Sequence, residues 1–141
     1  MKISEVNKRM LVDEFEKVLE LMNSTSNVRE KLFYLSATYG MVSRVLNIDY
    51  DSLLILIHSV LSSTYSNINS LYNNIANNRN AFFSIPKNYF EMIEKNLKEI
   101  TLAIDKNNET KIYKALEKFS VLAYISFGNG NYLYKKGIIK F

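Results

Sequence analysis

The 141 residues suffice for one domain with a single core, and the absence of cysteine excludes a disulfide framework and any thiolate metal site. Hydrophobic residues make up 48% of the chain, with 10 Tyr and 8 Phe, while Gly (4) and Pro (1) are scarce, a balance that favours a few long helices over many short strands. The formal net charge of +4 is unevenly held: residues 1–78 carry 7 basic and 8 acidic groups, residues 79–106 carry 5 and 4, and residues 107–141 carry 6 and 2, so the positive excess lies in the last quarter.

The first stretch of helical period covers residues 4–22, with Val6, Met10, Phe15, Val18, Leu19 and Met22 on one stripe and Asp13, Glu16 and Glu20 opposite. Asn-Ser-Thr-Ser at residues 23–26 interrupts the period. Asn27 followed by Glu30 has the form of a capping box, in which the amide oxygen and the carboxylate each take up an unpaired N–H at the start of a second helix. Val28, Leu32, Leu35, Tyr39, Val42 and Leu46 form the expected buried stripe of that helix.

Asp49 is the expected cap of a third helix, since its carboxylate opposes the positive end of the helix dipole. This helix is unusual: residues 52–78 run 27 positions without Asp, Glu, Lys or Arg. Leu54, Ile57, Leu61, Thr64, Ile68, Leu71 and Ile75 follow one another at alternating steps of three and four, a heptad seam with one polar interruption. The outward positions Ser59, Ser62, Ser63, Ser66, Asn69, Ser70 and Asn73 carry hydroxyls and amides in place of Lys and Glu. Such groups can be satisfied across an interface without desolvating full charges, so this face is expected to meet a protein partner or a second copy of the chain. The longest apolar run, residues 53–57, is far short of the roughly 20 residues that a membrane-spanning helix needs. No transmembrane insertion is expected, and with no apolar leader run near residue 1 the expected setting is cytoplasmic.

Residues 77–83, with Arg79, read as a polar loop, and Ser84 with Pro86 as the opening of a fourth helix, where proline's missing N–H has no partner to lose. Phe90, Ile93, Leu97, Ile100 and Ile104 point inward, and Glu91/Lys95 and Glu94/Lys98 are expected to pair at i,i+4 on a solvated face. Asn107-Asn108 makes a turn into a fifth helix over residues 109–126, with Ile112, Leu116, Phe119 and Ala123 inside. Gly128 and Gly130 end it, and two β-prone runs around Lys135-Lys136-Gly137 fit a short hairpin or an extended tail. The expected fold is therefore an all-α, single-domain bundle of about five helices over residues 1–127, with a short extended or β-hairpin basic aromatic tail over residues 128–141.

Catalytic chemistry finds little support. His58 is the single histidine, and Asp51 precedes it by seven residues, near 10 Å along a helix, too far for the two to touch. The carboxylate clusters at Asp13, Glu14, Glu16 and Glu20 and at Glu91 and Glu94 lie opposite apolar stripes and lack the Glu-x-x-His pattern of di-metal bundles. No Gly-rich phosphate loop precedes a helix. No catalytic residue, metal site or cofactor is expected, and the chain is not expected to be an enzyme.

The basic end carries more. Lys111, Lys114 and Lys118 at i, i+3 and i+7 set three ammonium groups along one helix face, and Arg79, Lys135, Lys136 and Lys140 add to them. Such a row can follow a phosphate backbone, with Tyr132 and Tyr134 offering faces on which bases stack. The expected role is that of a non-catalytic small subunit or accessory factor of a nucleoprotein complex, with nucleic acid as partner. In length, helicity and charge placement the chain is similar to the small helical subunits of CRISPR effector complexes, a likeness that no motif carries and that transfers no residue roles. The alternative is a protein interaction module or homodimeric adaptor that pairs through the third helix without nucleic acid.

Overall fold

The computed structural model describes residues 1–76 and 89–125, and these form five helices: α1 (Glu5–Asn23), α2 (Val28–Leu46), α3 (Ser52–Ala76), α4 (Tyr89–Asp105) and α5 (Glu109–Ile125). No strand occurs among the described residues. The expected loop with Arg79, the opening at Ser84 and Pro86, and the tail with its hairpin lie outside them.

Local chemistry sets each helix start. Ser4, extended, caps α1 by accepting the Asn7 N–H at 3.2 Å. Asn27 caps α2 by accepting the Glu30 N–H at 3.2 Å, but the expected capping box closes differently. Glu30 accepts from the Thr25 hydroxyl at 2.5 Å, and that same oxygen accepts the Asn27 N–H at 3.1 Å. Thr25 thus stands between the two partners of the box. At α3 the expected cap is corrected by two residues: Asp51, not Asp49, accepts the Leu54 N–H at 3.0 Å. Asp49 turns to α1 instead, accepting from the Ser4 N–H at 2.7 Å and from Asn7 Nδ2 at 3.2 Å.

That contact explains a second correction. The buried face of α1 is Asn7, Leu11, Phe15, Val18 and Met22 with Val12, whereas Val6 (72% exposed) and Met10 point outward. A polar residue is normally read as outward, but Asp49 satisfies the Asn7 amide and lets it sit inside. Phe15, Val18 and Met22 stay inward as their spacing predicts, and the shift is confined to the first two turns, where Asn7 and Leu11 take the inward places expected of Val6 and Met10.

The turn between α4 and α5 is a Schellman motif. Asn107 takes a left-handed backbone (φ 50°), with its N–H on the Ile104 carbonyl (3.0 Å) and the Asn108 N–H on the Ala103 carbonyl (2.9 Å). Asn108 then caps α5 through the Lys111 N–H at 3.1 Å. At the start of α4, Tyr89 replaces the half-buried Phe90 as the principal inward aromatic residue, and its hydroxyl donates to the Leu122 carbonyl at 2.6 Å.

Packing closes the helices into a ring in which each touches two others: α1 meets α2 and α4, α2 meets α3, α3 meets α5, and α5 meets α4. The amino ends of α1, α3 and α5 lie together, because Lys2 N–H reaches Asp51 (2.8 Å) and the Met1 amino group pairs with Glu109. Five members cannot alternate in direction all the way round, and the break falls between α3 and α5, which run parallel. One apolar core fills the ring, with Leu54, Ile57, Leu61 and Ile68 of α3 fully buried as the seam predicts. Buried Thr64 answers its own hydroxyl on the Val60 carbonyl at 2.7 Å. The side chains of Leu71, Ile75 and Ala123 lie outside the description.

Asp51 couples this end of the bundle to pH. Burial raises its carboxyl, but the N–H groups of Lys2 and Leu54, the charge at the Met1 amino group and the Leu53 N–H outweigh that and hold it below its usual range. A carboxyl lowered by folding contributes stability above its unfolded value of about 3.9 and loses it as pH falls through the folded value. Asp51→Asn is expected to flatten the fall in melting temperature between about pH 5 and pH 2. An unchanged acid limb in the variant would show that Asp51 titrates alike in both states.

Candidate nucleic-acid interface

The Schellman turn places Lys106 and Asn108 at the mouth of a groove between α4 and α5, of about 530 Å³. Lys111, Lys114 and Lys118 line its α5 wall, so the row read from helical spacing does share one face. Leu102, Ala103 and Glu99 supply the α4 wall. Lys118 is not equivalent to its neighbours, because Glu99 Oε2 holds its ammonium at 2.8 Å. Among the described residues Lys106, Lys111 and Lys114 make no ion pair. Lys106 was invisible to a reading along one helix, because it stands beyond the end of α4 and joins the row only through the turn. Arg79, Lys135, Lys136, Lys140, Tyr132 and Tyr134 lie outside the described residues.

The groove on the other side of α4 has a different character. It is lined by Glu16 and Glu20 of α1 and by Glu91, Glu94, Lys95 and Lys98 of α4, so carboxylates outnumber ammonium groups and it does not suit a phosphate. Neither expected i,i+4 pair of α4 forms: Glu94 pairs with Lys31 of α2 at 2.6 Å, and no ion pair joins Glu91 to Lys95.

On α3 the outward positions divide by exposure. Ser59, Ser63, Ser66 and Ser70 are exposed, while Ser62, Asn69 and Asn73 are half-buried at its edge, with the Ser62 hydroxyl turned to the Ser59 carbonyl at 3.2 Å. Exposed Ile55 and Leu56 head the same face. That face is therefore apolar at one end.

His58 joins two helices. Its Nε2 lies 2.9 Å from Ser43 Oγ on α2, and the Tyr39 ring meets it edge-on at 5.9 Å. Burial, followed by the adjacent Tyr65 phenol, raises the Tyr39 hydroxyl above its usual value. Asp51 faces Lys2 and Leu54, so no carboxylate of that helix start orients the imidazole. Ser43 sits inside α2, where the backbone N–H groups are engaged in the helix and unavailable to an oxyanion. Among the described residues no three His, Cys, Asp or Glu side chains are grouped to hold a metal ion, and no helix is long and apolar enough to cross a membrane. No protein-family model, curated protein or solved structure matches the chain.

Proposed function

We propose that the chain is a non-catalytic subunit or accessory factor of a nucleoprotein assembly, and that it lays a phosphate backbone along the α4–α5 groove. The observation that supports this reading is the convergence of Lys106, Lys111, Lys114 and Lys118 on one groove where Glu99, the single lining carboxylate among the described residues, is already paired. Each phosphate neutralised by a lysine releases counterions, so binding weakens as salt rises. Replacing Lys106, Lys111 and Lys114 together with Gln is expected to weaken binding to labelled single- and double-stranded DNA and RNA by about tenfold to a hundredfold at low salt. The slope of log affinity against log salt flattens by about 2 to 3 on duplex DNA. Absence of binding by the unaltered chain at low salt, or an unchanged slope in the variant, overturns the reading.

The uncharged α3 face supports a second reading, a protein interaction module without nucleic acid, because Ile55 and Leu56 extend the serine face with exposed apolar surface. That reading predicts salt-insensitive association that Ser63→Arg abolishes. Association retained by Ser63→Arg would remove α3 from it.

A further inference from the structure

The outward face of α2 carries two features that the isolated bundle does not explain. Phe33 is 70% exposed. Gly40, two turns further on the same face, is exposed, and a methyl group there would meet no atom of the described residues within 4 Å. Glycine inside an exposed helix costs about 1 kcal/mol relative to alanine, and no close approach by the described residues demands it here. An aromatic knob and a backbone left bare thus lie seven residues apart on one face.

Their placement is self-complementary. The midpoint between Phe33 and Gly40 falls between Ser36 and Ala37. A second α2, antiparallel and related by a two-fold axis through that midpoint, sets each Phe33 ring opposite the other copy's Gly40. This is an isologous contact with one knob and one hole per copy. The same register brings Glu30 within one residue of the level of the other copy's Arg44, on the same flank of the pair. Among the described residues neither side chain makes an ion pair within its own chain; Glu30 accepts from the Thr25 hydroxyl, which leaves its second oxygen for an arginine. Arg29, the side chain that would otherwise meet Arg44 as a like charge, is held over its own Tyr72 ring at 5.4 Å.

We propose that the chain pairs with a second copy through antiparallel α2 helices, Phe33 seated over Gly40 and Glu30 facing Arg44 at both ends. The contact runs about 28 Å along 19 residues, which places it at the small end of specific interfaces and makes a micromolar dimer the expected strength. In the ring α2 lies across from α4 and α5, so pairing leaves both lysine grooves facing outward.

Sedimentation of the full chain across micromolar to millimolar concentrations tests this, alongside Gly40→Leu and Phe33→Ser. The unaltered chain is expected to shift from monomer to dimer. Gly40→Leu is expected to raise the dissociation constant at least tenfold while its melting temperature holds or rises, because leucine favours the helix and meets open space in the monomer. Phe33→Ser is expected to sediment as a monomer. A monomer at every concentration in the unaltered chain overturns the proposal, as does a dimer that survives Gly40→Leu. A dimer lost only with Ser63→Arg would also overturn it and move the contact to α3.

Discussion

Phe15→Ala is expected to lower the stability of the bundle by about 3 to 5 kcal/mol, measured as a fall in the denaturant midpoint at unchanged slope. Phe15 is 0% exposed in the middle of α1, the helix that meets both α2 and α4, so its ring fills space that neither neighbour can collapse into alone. The loss combines the transfer of an aromatic side chain to water with the cavity left behind. Domains of this size hold about 5 to 15 kcal/mol in total, so the variant approaches the margin of folding. Phe33→Ala is the matched comparison, the same deletion on an outward face, with an expected change of about 0.5 kcal/mol or less at concentrations where the chain is monomeric. Equal losses at the two positions would mean that the buried face of α1 is not the one described.

The contrast between those two phenylalanines also marks how far the sequence is legible. The α3 seam could be read directly, because Leu54, Ile57, Leu61, Thr64 and Ile68 lie on one helix and their spacing alone decides which way they point. The same holds for Ile93, Leu97, Ile100 and Ile104 on α4 and for the lysine row on α5. Errors arise where a residue from elsewhere in the chain intervenes. Asp49 draws Asn7 inward and turns Val6 out, and the same choice leaves Asp51 as the α3 cap. Two aspartates two residues apart are equivalent to any local rule of capping, and only the arrival of the segment before α1 separates them. In the groove, the α5 wall could be read and the α4 wall could not. Glu99 and Leu102 belong to no pattern along α4 and become a wall only because the ring sets α4 against α5. The order of the ring itself, with α5 between α3 and α4, is a matter of long-range packing that no periodicity encodes.

Lys31 and Glu94 carry that point into energetics. Their side chains are each only 14% exposed, and they join α2 to α4, two helices that are not neighbours in the ring. Lys31 manages this by reaching over the end of α1, where its ammonium also donates to the Met22 carbonyl at 2.8 Å, in the last turn, where the helix dipole favours a cation. Lys31→Ala is expected to destabilise the fold by about 2 to 3 kcal/mol, since it strands a largely buried carboxylate and removes the cation from the α1 terminus. Glu94→Ala should cost less, because Lys31 keeps the carbonyl. Lys31→Met combined with Glu94→Leu should fall within about 1 kcal/mol of the unaltered chain, because no charge is then left unpaired and the methylene volume is retained. A double-mutant cycle in chemical denaturation measures all of these, and the coupling should persist in high salt because water and ions reach the pair poorly. Additive losses that vanish in salt would instead describe an ordinary surface pair, and the strut between α2 and α4 would then contribute nothing to holding the ring closed.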